Sequence, residues 1–80
     1  MKFYQVEMEA LEFMKRPHSL REWADYGFNR VEYEGASYWE GKRDGATSIT
    51  DEENEQAGLL VWDYKDWDED GYMYLKLKKC

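Results

Sequence analysis

The residues from Leu59 to Leu77, LLVWDYKDWDEDGYMYLKL, constrain the fold more than any other stretch of the chain. Two runs rich in Val, Trp, Tyr and Leu flank the acidic sequence from Asp68 to Gly71. Asp-Gly between alternating runs predicts a β-hairpin, because glycine takes the positive φ that a tight turn needs. The preceding chain is then expected to pack against this hairpin.

The loop length determines which side chains of the hairpin share a face. With a loop of two or four residues, the predicted apolar face consists of Leu60, Trp62, Tyr64, Met73, Leu75 and Leu77. The other face then consists of Leu59, Val61, Asp63, Lys65, Trp67, Tyr72, Tyr74, Lys76 and Lys78. A four-residue loop places Asp63 opposite Lys76, a favourable cross-strand pair. A three-residue loop with Gly71 in a bulge would change this pairing.

The tip of the hairpin also resembles the start of a calcium-binding loop. The run from Asp66 to Gly71 matches D-x-D-x-D-G, in which Asp66, Asp68 and Asp70 would converge on one cation. The twelfth loop position is Leu77, where an EF-hand has a bidentate Glu, and the residues after Gly71 alternate like a strand. The pattern therefore favours an acidic turn, with calcium binding as the alternative.

The chain has 80 residues, which is the size of one domain, residues 1–80. It contains 14 Phe, Trp and Tyr residues. A chain of this length buries only about 60–65% of its unfolded surface, so some of these rings are expected to remain partly exposed. Exposed Tyr and Trp are typical of protein interfaces.

The net charge of −7 is concentrated in one segment. Residues 51–70 contain nine acids and one base, while residues 71–80 contain three bases and no acid. Phosphates need a basic footprint, so direct nucleic-acid binding is disfavoured. A basic protein partner is favoured, although acidity by itself also keeps a small protein soluble.

The single cysteine, Cys80, allows no internal disulfide and no Cys/His zinc cluster. Glu7, Glu9 and Glu12 interrupt any apolar run of the kind found in a signal peptide, and no run reaches membrane-spanning length. These features predict a cytoplasmic protein with no membrane contact and no cofactor.

The N-terminal segment, residues 2–16, fits a helix with an apolar face of Phe3, Val6, Ala10, Phe13 and Met14. Glu12 and Arg16 could pair at i, i+4 on that helix. Alternation from Tyr4 to Ala10 leaves a first strand as the alternative. Pro17 ends the element in either case.

Two capping boxes predict two further helices. Ser19 and Glu22 form the first, before a short helix that ends near Tyr26 with Gly27 after it. Thr50 and Glu53 form the second, before one or two helical turns that end at Gly58. The apolar stripe of the first of these helices consists of Leu20, Trp23 and Ala24, with Phe28 as a further core residue.

A strand is predicted over residues 30–43, with Val31 and Tyr33 alternating against charges and a turn or bulge at Glu34-Gly35-Ala36. A second turn is predicted at residues 42–45. The fold class is therefore α+β: one or two N-terminal helices packed on an antiparallel sheet built from Val31 to Glu40 and the C-terminal hairpin.

The sequence contains no constellation that is typical of an enzyme. His18 follows Pro17 and reads as a solvated loop residue, and its neighbour Ser19 is explained as a helix cap. The glycines stand singly at turn positions, so no phosphate-binding loop is present.

The acidic segment beside partly exposed aromatics is the strongest functional pattern. In size, charge and aromatic content the chain resembles small acidic proteins of bacteriophages and plasmids, including anti-restriction and anti-CRISPR proteins. That resemblance implies DNA mimicry: a non-enzymatic inhibitor that binds the basic surface of a nucleic-acid-binding protein. The predicted partner-binding residues are Asp51, Glu52, Glu53, Glu55, Asp66, Trp67, Asp68, Glu69, Asp70, Tyr72 and Tyr74. A calcium-binding module and a structural homo-oligomer are the alternatives.

Overall fold

The computed structural model describes residues 10–26, 28–39, 45–67, 69–70 and 72–80, which form a small α+β domain. Within these ranges, residues 10–14 form helix α1. The remaining elements are β1 (His18–Ser19), α2 (Leu20–Asp25), β2 (Arg30–Tyr33), β3 (Ala36–Trp39), α3 (Asp51–Ala57), β4 (Leu59–Trp67) and β5 (Met73–Lys79). The α+β fold class predicted from the sequence is confirmed.

The five strands form one sheet in the order β1-β4-β5-β2-β3. The pairs β1–β4, β4–β5 and β2–β3 are antiparallel, while β2 and β5 are parallel, with Val31 opposite Leu75. The prediction of a wholly antiparallel sheet is therefore wrong for this pair. Since β5 follows β2 after a long connection through β3, α3 and β4, the chain can return to the same end of the sheet.

The central β4–β5 hairpin is confirmed, but its register differs from the predicted one. Trp62 lies opposite Leu77, the next pair is Tyr64 opposite Lys76, and the shift leaves Asp63 as the extra residue of a bulge. Asp63 therefore does not face Lys76 as predicted. Its carboxylate lies 3.6 Å from the Lys78 ammonium.

The bulge reverses the face assignment for the second half of β4. Tyr64, predicted on the apolar face, is 50% exposed on the opposite face. Trp67, predicted beside the exposed acids, lies opposite Met73 and packs against the core. One extra residue causes both changes, because side chains alternate between faces with a period of two.

Both predicted capping boxes are present. Ser19 Oγ accepts from the Glu22 amide, and the Ser19 amide donates to the Glu22 carboxylate. Thr50 and Glu53 make the same reciprocal pair at the start of α3. Each pair satisfies two amides that lack partners within the helix, so both helices begin where the sequence predicts.

Of the helix predicted over residues 2–16, residues 10–14 are helical, residues 15 and 16 are not, and residues 2–9 lie outside the described ranges. Ala10 and Met14 are buried. Glu12 pairs with Lys15 at 3.0 Å instead of the expected Arg16. The chain leaves the helix at residues 15 and 16, so the i, i+4 spacing no longer brings Arg16 beside Glu12.

The core lies between the helices and the sheet face that carries Val31, Leu60, Met73, Leu75 and Leu77, called here the inner face. Its largest fully buried side chains are Trp23, Phe28, Leu20, Ile49, Leu60, Leu75 and Val31. The predicted helix stripe and Phe28 are therefore confirmed as core residues. Trp62, assigned to the apolar face, is only partly buried and packs at the core's margin.

The β2–β3 hairpin turns through Glu34 and Gly35, with Tyr33 opposite Ala36. Their φ values are +53° and +84°, and positive φ at both central residues is the mark of a type I′ turn. The sequence left a turn and a bulge open at this point, and the structure shows the turn. Residues 40–44, which include most of the second predicted turn, lie outside the described ranges.

Candidate partner-binding surfaces

Helix α3 presents four of the predicted site residues at one end of the domain. Asp51, Glu52, Glu53 and Glu55 are all exposed. The first three lie in the first turn of α3, where carboxylates are favoured by the unpaired amides of a helix start. These three acids can therefore stabilise the start of α3 while their side chains remain exposed.

Arg21 of α2 fixes the position of α3. Its guanidinium lies 2.8 Å from the Asp51 carboxylate and donates to the Ile49 carbonyl oxygen at 2.5 Å. The backbone amide of Arg21 donates to Asn54 Oδ1 at 3.0 Å. These contacts hold the start of α3 against α2.

A cleft separates α3 from the inner face of the β2–β3 hairpin. Its volume is about 250 Å³. The lining residues are Leu20, Tyr33, Glu34, Ala36, Tyr38, Glu53, Gln56, Ala57 and Lys79. Tyr33 and Tyr38 come from adjacent strands and lie on the same side of the sheet as the buried Val31, because Tyr38 is opposite Val31.

Nearby carboxylates make the electrostatic potential negative around the hydroxyls of Tyr33 and Tyr38. Burial raises the pKa of Tyr38, and the carboxylates of Glu53 and Glu34 raise it further. The pKa of Tyr33 is also raised, first by burial and then by a hydrogen bond to Glu34 and the charge of that carboxylate. The pKa of Tyr38 is therefore affected by a carboxylate from each wall of the cleft, and that of Tyr33 by the Glu34 carboxylate.

Sequence reasoning did not include Tyr33, Glu34 or Tyr38 among the site residues. Tyr33 was recognised as part of a strand, and Glu34-Gly35 as a turn. These residues join the site because α3 lies across the cleft from this hairpin, and no local sequence pattern predicts that arrangement.

The second acidic region is the tip of the β4–β5 hairpin. Glu69, Asp70 and Tyr72 are exposed, and Asp68 lies outside the described residues. The two strand residues at this end that face away from the core are Asp66 and Tyr74, which lie opposite each other. Of the three aromatic residues predicted to bind a partner, all lie at this end, but Tyr74 faces away from the core and Trp67 packs against it.

Asp66 is held by hydrogen bonds on both carboxylate oxygens. Oδ1 accepts from the Trp67 amide at 2.8 Å, and Oδ2 accepts from the hydroxyls of Tyr74 at 3.1 Å and Tyr64 at 3.2 Å. These donors lower the pKa of Asp66, the Trp67 amide most and then Tyr74. The same contacts raise the pKa values of Tyr64 and Tyr74, since ionised phenols would face the carboxylate.

The sheet face opposite the core, called here the outer face, carries both signs of charge. The Arg30 guanidinium nitrogen lies 2.9 Å from the Glu32 carboxylate oxygen, and the guanidinium carbon lies 5.5 Å from the centroid of the Tyr74 ring. The Lys76 ammonium lies over the Tyr64 ring at 5.9 Å. Each of these two cations is thus paired with a carboxylate or lies over a tyrosine ring. The outer face therefore does not extend the acidic surface of the tip.

The two acidic regions lie at opposite ends of β4. Helix α3 precedes Leu59, the first residue of β4, and the tip follows Trp67, the last. Eight steps along a strand cover about 26 Å. The predicted partner-binding residues of α3 and those of the tip therefore do not lie side by side, because β4 runs between the two regions.

The calcium hypothesis depends on Asp66, Asp68 and Asp70. Asp66 already accepts three hydrogen bonds within the hairpin, and the position of Asp68 is not described. Across the described ranges, no group of three or more His, Cys, Asp or Glu side chains is arranged to hold a metal ion.

His18 is a residue whose environment the sequence analysis predicted wrongly. It belongs to β1, its ring stacks on Phe13 at 3.7 Å, and Nε2 donates to the Phe13 carbonyl oxygen at 2.8 Å. Phe13 stacks on Tyr26 through its other face at 3.9 Å. His18 is therefore a structural part of the junction between α1 and α2, with 18% of its side chain exposed.

Comparisons with protein-family models, with curated proteins and with solved structures found no match to this chain. Within the described part of the chain, no helix has the length and apolar character needed to cross a membrane.

Proposed function

We propose that the protein is a non-enzymatic binding module that presents carboxylates to a basic surface of another protein and thereby occupies that surface. The observation that carries this proposal is the acidic end of the domain, where α3 and the β2–β3 hairpin frame a cleft with one aromatic wall. Charge steers a basic partner to this end, and the tyrosine rings add contact area that charge alone does not provide.

The resemblance to phage and plasmid inhibitors suggests a nucleic-acid-binding protein as the partner. Such a protein has a basic groove, and carboxylates that replace phosphates there would exclude the nucleic acid. The two acidic regions lie beyond opposite ends of β4, a strand of nine residues that spans about 26 Å. The proposed mimic would therefore contact a groove at two separate points, with α3 and the tip as the candidate contacts.

The test compares two variants with equal changes in charge. One is Glu52→Lys with Glu55→Lys on α3, and the other is Glu69→Lys with Asp70→Lys at the tip. All four residues are exposed. Affinity capture from a lysate supplies candidate partners, and the association rate of each is then measured at low and high salt.

We expect the α3 variant to associate more slowly and to lose most of the salt dependence, because exposed charges act over about 8 Å at physiological ionic strength. The wild-type protein should also displace nucleic acid from the partner. If both variants associate at the wild-type rate with the wild-type salt dependence, the acidic regions serve only solubility and the proposal is wrong. Circular dichroism and a denaturation midpoint verify that each variant is folded.

A further inference from the structure

The cleft between α3 and the β2–β3 hairpin has the size of a site for one side chain. Its volume of about 250 Å³ lies below that of pockets for drug-sized ligands, which are roughly 300–1,000 Å³. One wall is the sheet with Tyr33, Ala36 and Tyr38, and the other is α3 with Glu53 and Gln56. A long, thin group could enter between them and leave the rest of its molecule outside.

The chemistry of the walls favours a cation with an apolar stem. Tyr33 and Tyr38 line the cleft, and aromatic rings attract ammonium and guanidinium groups and also pack against a methylene chain. The carboxylates of Glu34 and Glu53 stand on the two walls, and each charge reaches the Tyr38 phenol. A negative group in the cleft would face both carboxylates and would be repelled.

We infer that this cleft binds a single lysine or arginine side chain of the partner, with the charged group between Glu34 and Glu53 and the stem against Tyr33 and Tyr38. This inference rests on the proposed function, because it assigns the basic partner's anchoring residue to one place. It adds that recognition depends on an inserted side chain as well as on long-range charge.

Lys79 lines the same cleft, and its positive charge allows a test of whether the cleft prefers a cationic or an anionic ligand. It is the last residue of β5, lies opposite Leu60, and is exposed. Its ammonium repels a second cation, so its removal should strengthen the binding of a basic side chain. The opposite result is expected for an anionic ligand, which would use Lys79 as its counter-charge.

Glu53 permits a charge change that preserves the local structure. Its carboxylate also accepts from the Thr50 amide in the capping box of α3. Glutamine serves equally at this position of a capping box, so Glu53→Gln removes the charge and keeps the cap. Glu22→Gln is the matched control, because Glu22 holds the same position in the capping box of α2 and does not line the cleft.

The experiment uses three short peptides that differ at one residue: acetyl-Gly-Lys-Gly-amide, its arginine counterpart, and its norleucine counterpart, which has the apolar stem without the charge. Each is titrated into the full-length protein at low salt, and binding is followed by ¹H–¹⁵N NMR. We expect saturable shifts of the Tyr38, Glu53 and Ala57 amides with the lysine and arginine peptides only. Equal shifts with the norleucine peptide, or shifts confined to the tip, would overturn the inference.

The variants then test the roles of the charges. Glu53→Gln should weaken the lysine peptide by about two- to five-fold, which is the usual size of one exposed charge or cation–π contact, while Glu22→Gln leaves binding unchanged. Lys79→Gln should strengthen it by a similar factor. Weaker binding in Lys79→Gln would mean that the cleft prefers anions, and the inference would be wrong.

The result is separable from that of the proposed function. If the peptides do not bind but the α3 charge-reversal variant still loses its partner, the cleft inference fails and the acidic-surface proposal stands. If the peptides bind and the charge reversal has no effect on the partner, the proposed function fails while the cleft remains a cation site.

Discussion

The indole Nε1 of Trp23 donates a hydrogen bond of 2.8 Å to the carbonyl oxygen of Leu60, and both side chains are fully buried. The Leu59 carbonyl accepts from the Cys80 amide on the β5 side. Since successive carbonyls of a strand point to opposite sides, the Leu60 carbonyl points away from β5, towards β1 and α2. The indole therefore joins α2 to the central hairpin at an acceptor that β5 does not reach.

Replacement of Trp23 by Phe should lower the free energy of unfolding by about 1–3 kcal/mol, because a buried carbonyl loses its partner while most of the apolar contact remains. The measurement is the chemical-denaturation midpoint. Trp62→Phe is the control, because Trp62 lies at the margin of the core and is only partly buried. Equal midpoint shifts in the two variants would contradict the role assigned to the indole.

Trp67 should act on stability more than on recognition. It packs against the core on the inner face, although strand alternation predicts it on the opposite face, among the partner-binding residues. We expect Trp67→Ala to cost about 1–3 kcal/mol, less than the 3–5 kcal/mol typical of a fully buried Trp. Leu59→Ala serves as the control, since Leu59 is 58% exposed. An unchanged midpoint in Trp67→Ala would show that the Asp63 bulge is misplaced.

The hydrogen bonds of Asp66 should produce a pH dependence of stability. The pKa of Asp66 is lowered in the folded state by the Trp67 amide, Tyr74 and Tyr64. A carboxyl with a depressed folded pKa contributes stability above its unfolded value, and that contribution is lost as the pH falls through the folded pKa. We therefore expect the stability to decrease below about pH 4.

Asp66→Asn isolates this contribution. The variant should be less stable than the wild type at neutral pH and should approach it as the pH falls, because the wild-type carboxylate is then protonated. Denaturation midpoints between pH 2 and pH 7 provide the comparison. A constant difference between the two proteins across this range would exclude Asp66 as the titrating group.

The β2–β3 turn should tolerate, and benefit from, a change at Glu34. This residue has a φ of +53°, which is costly for Glu and well accepted by Asn. Glu34→Asn creates the Asn-Gly pair preferred in type I′ turns and should raise the unfolding free energy by about 0.5–1 kcal/mol. The same variant should bind the lysine peptide more weakly, because one cleft carboxylate is gone.

Gly35→Ala provides the contrast for this turn. The φ of Gly35 is +84°, and a side chain there is strained although no atom lies within 4 Å of the position of its Cβ. We expect the alanine variant to be less stable than the wild type. If Glu34→Asn also lowers the midpoint, then the turn is not of the type that the backbone angles indicate.

Several features of the fold could be predicted from local sequence because local chemistry determines them. The capping boxes of Ser19 and Thr50 involve residues three positions apart, so the start of each helix depends on its own sequence. The burial of Leu20, Trp23 and Ala24 followed from helical periodicity. The existence of the β4–β5 hairpin followed from alternation around an Asp-Gly turn.

The candidate site was less predictable, because its parts are distant in the chain. Glu53 on α3 and Tyr38 on β3 line one cleft, and their proximity depends on where α3 packs. The Arg21 contacts to Asp51 and Asn54 hold α3 there, and no pattern within the helix specifies them. The sequence indicated acidic and aromatic residues as candidates for binding a partner, and not which of them lie together.

The sequence by itself determined the helix starts, the existence of the β4–β5 hairpin, the core stripe of α2 and the uneven distribution of charge, since these depend on residues near each other in the chain. The tertiary structure decided the parallel pairing of β2 with β5, the bulge at Asp63 that turns Tyr64 outward and Trp67 inward, and the separation of the two acidic regions along β4. The physical reason is that strand register and helix placement are selected by packing of the whole core, in which contacts between distant residues outweigh the preference of any one segment.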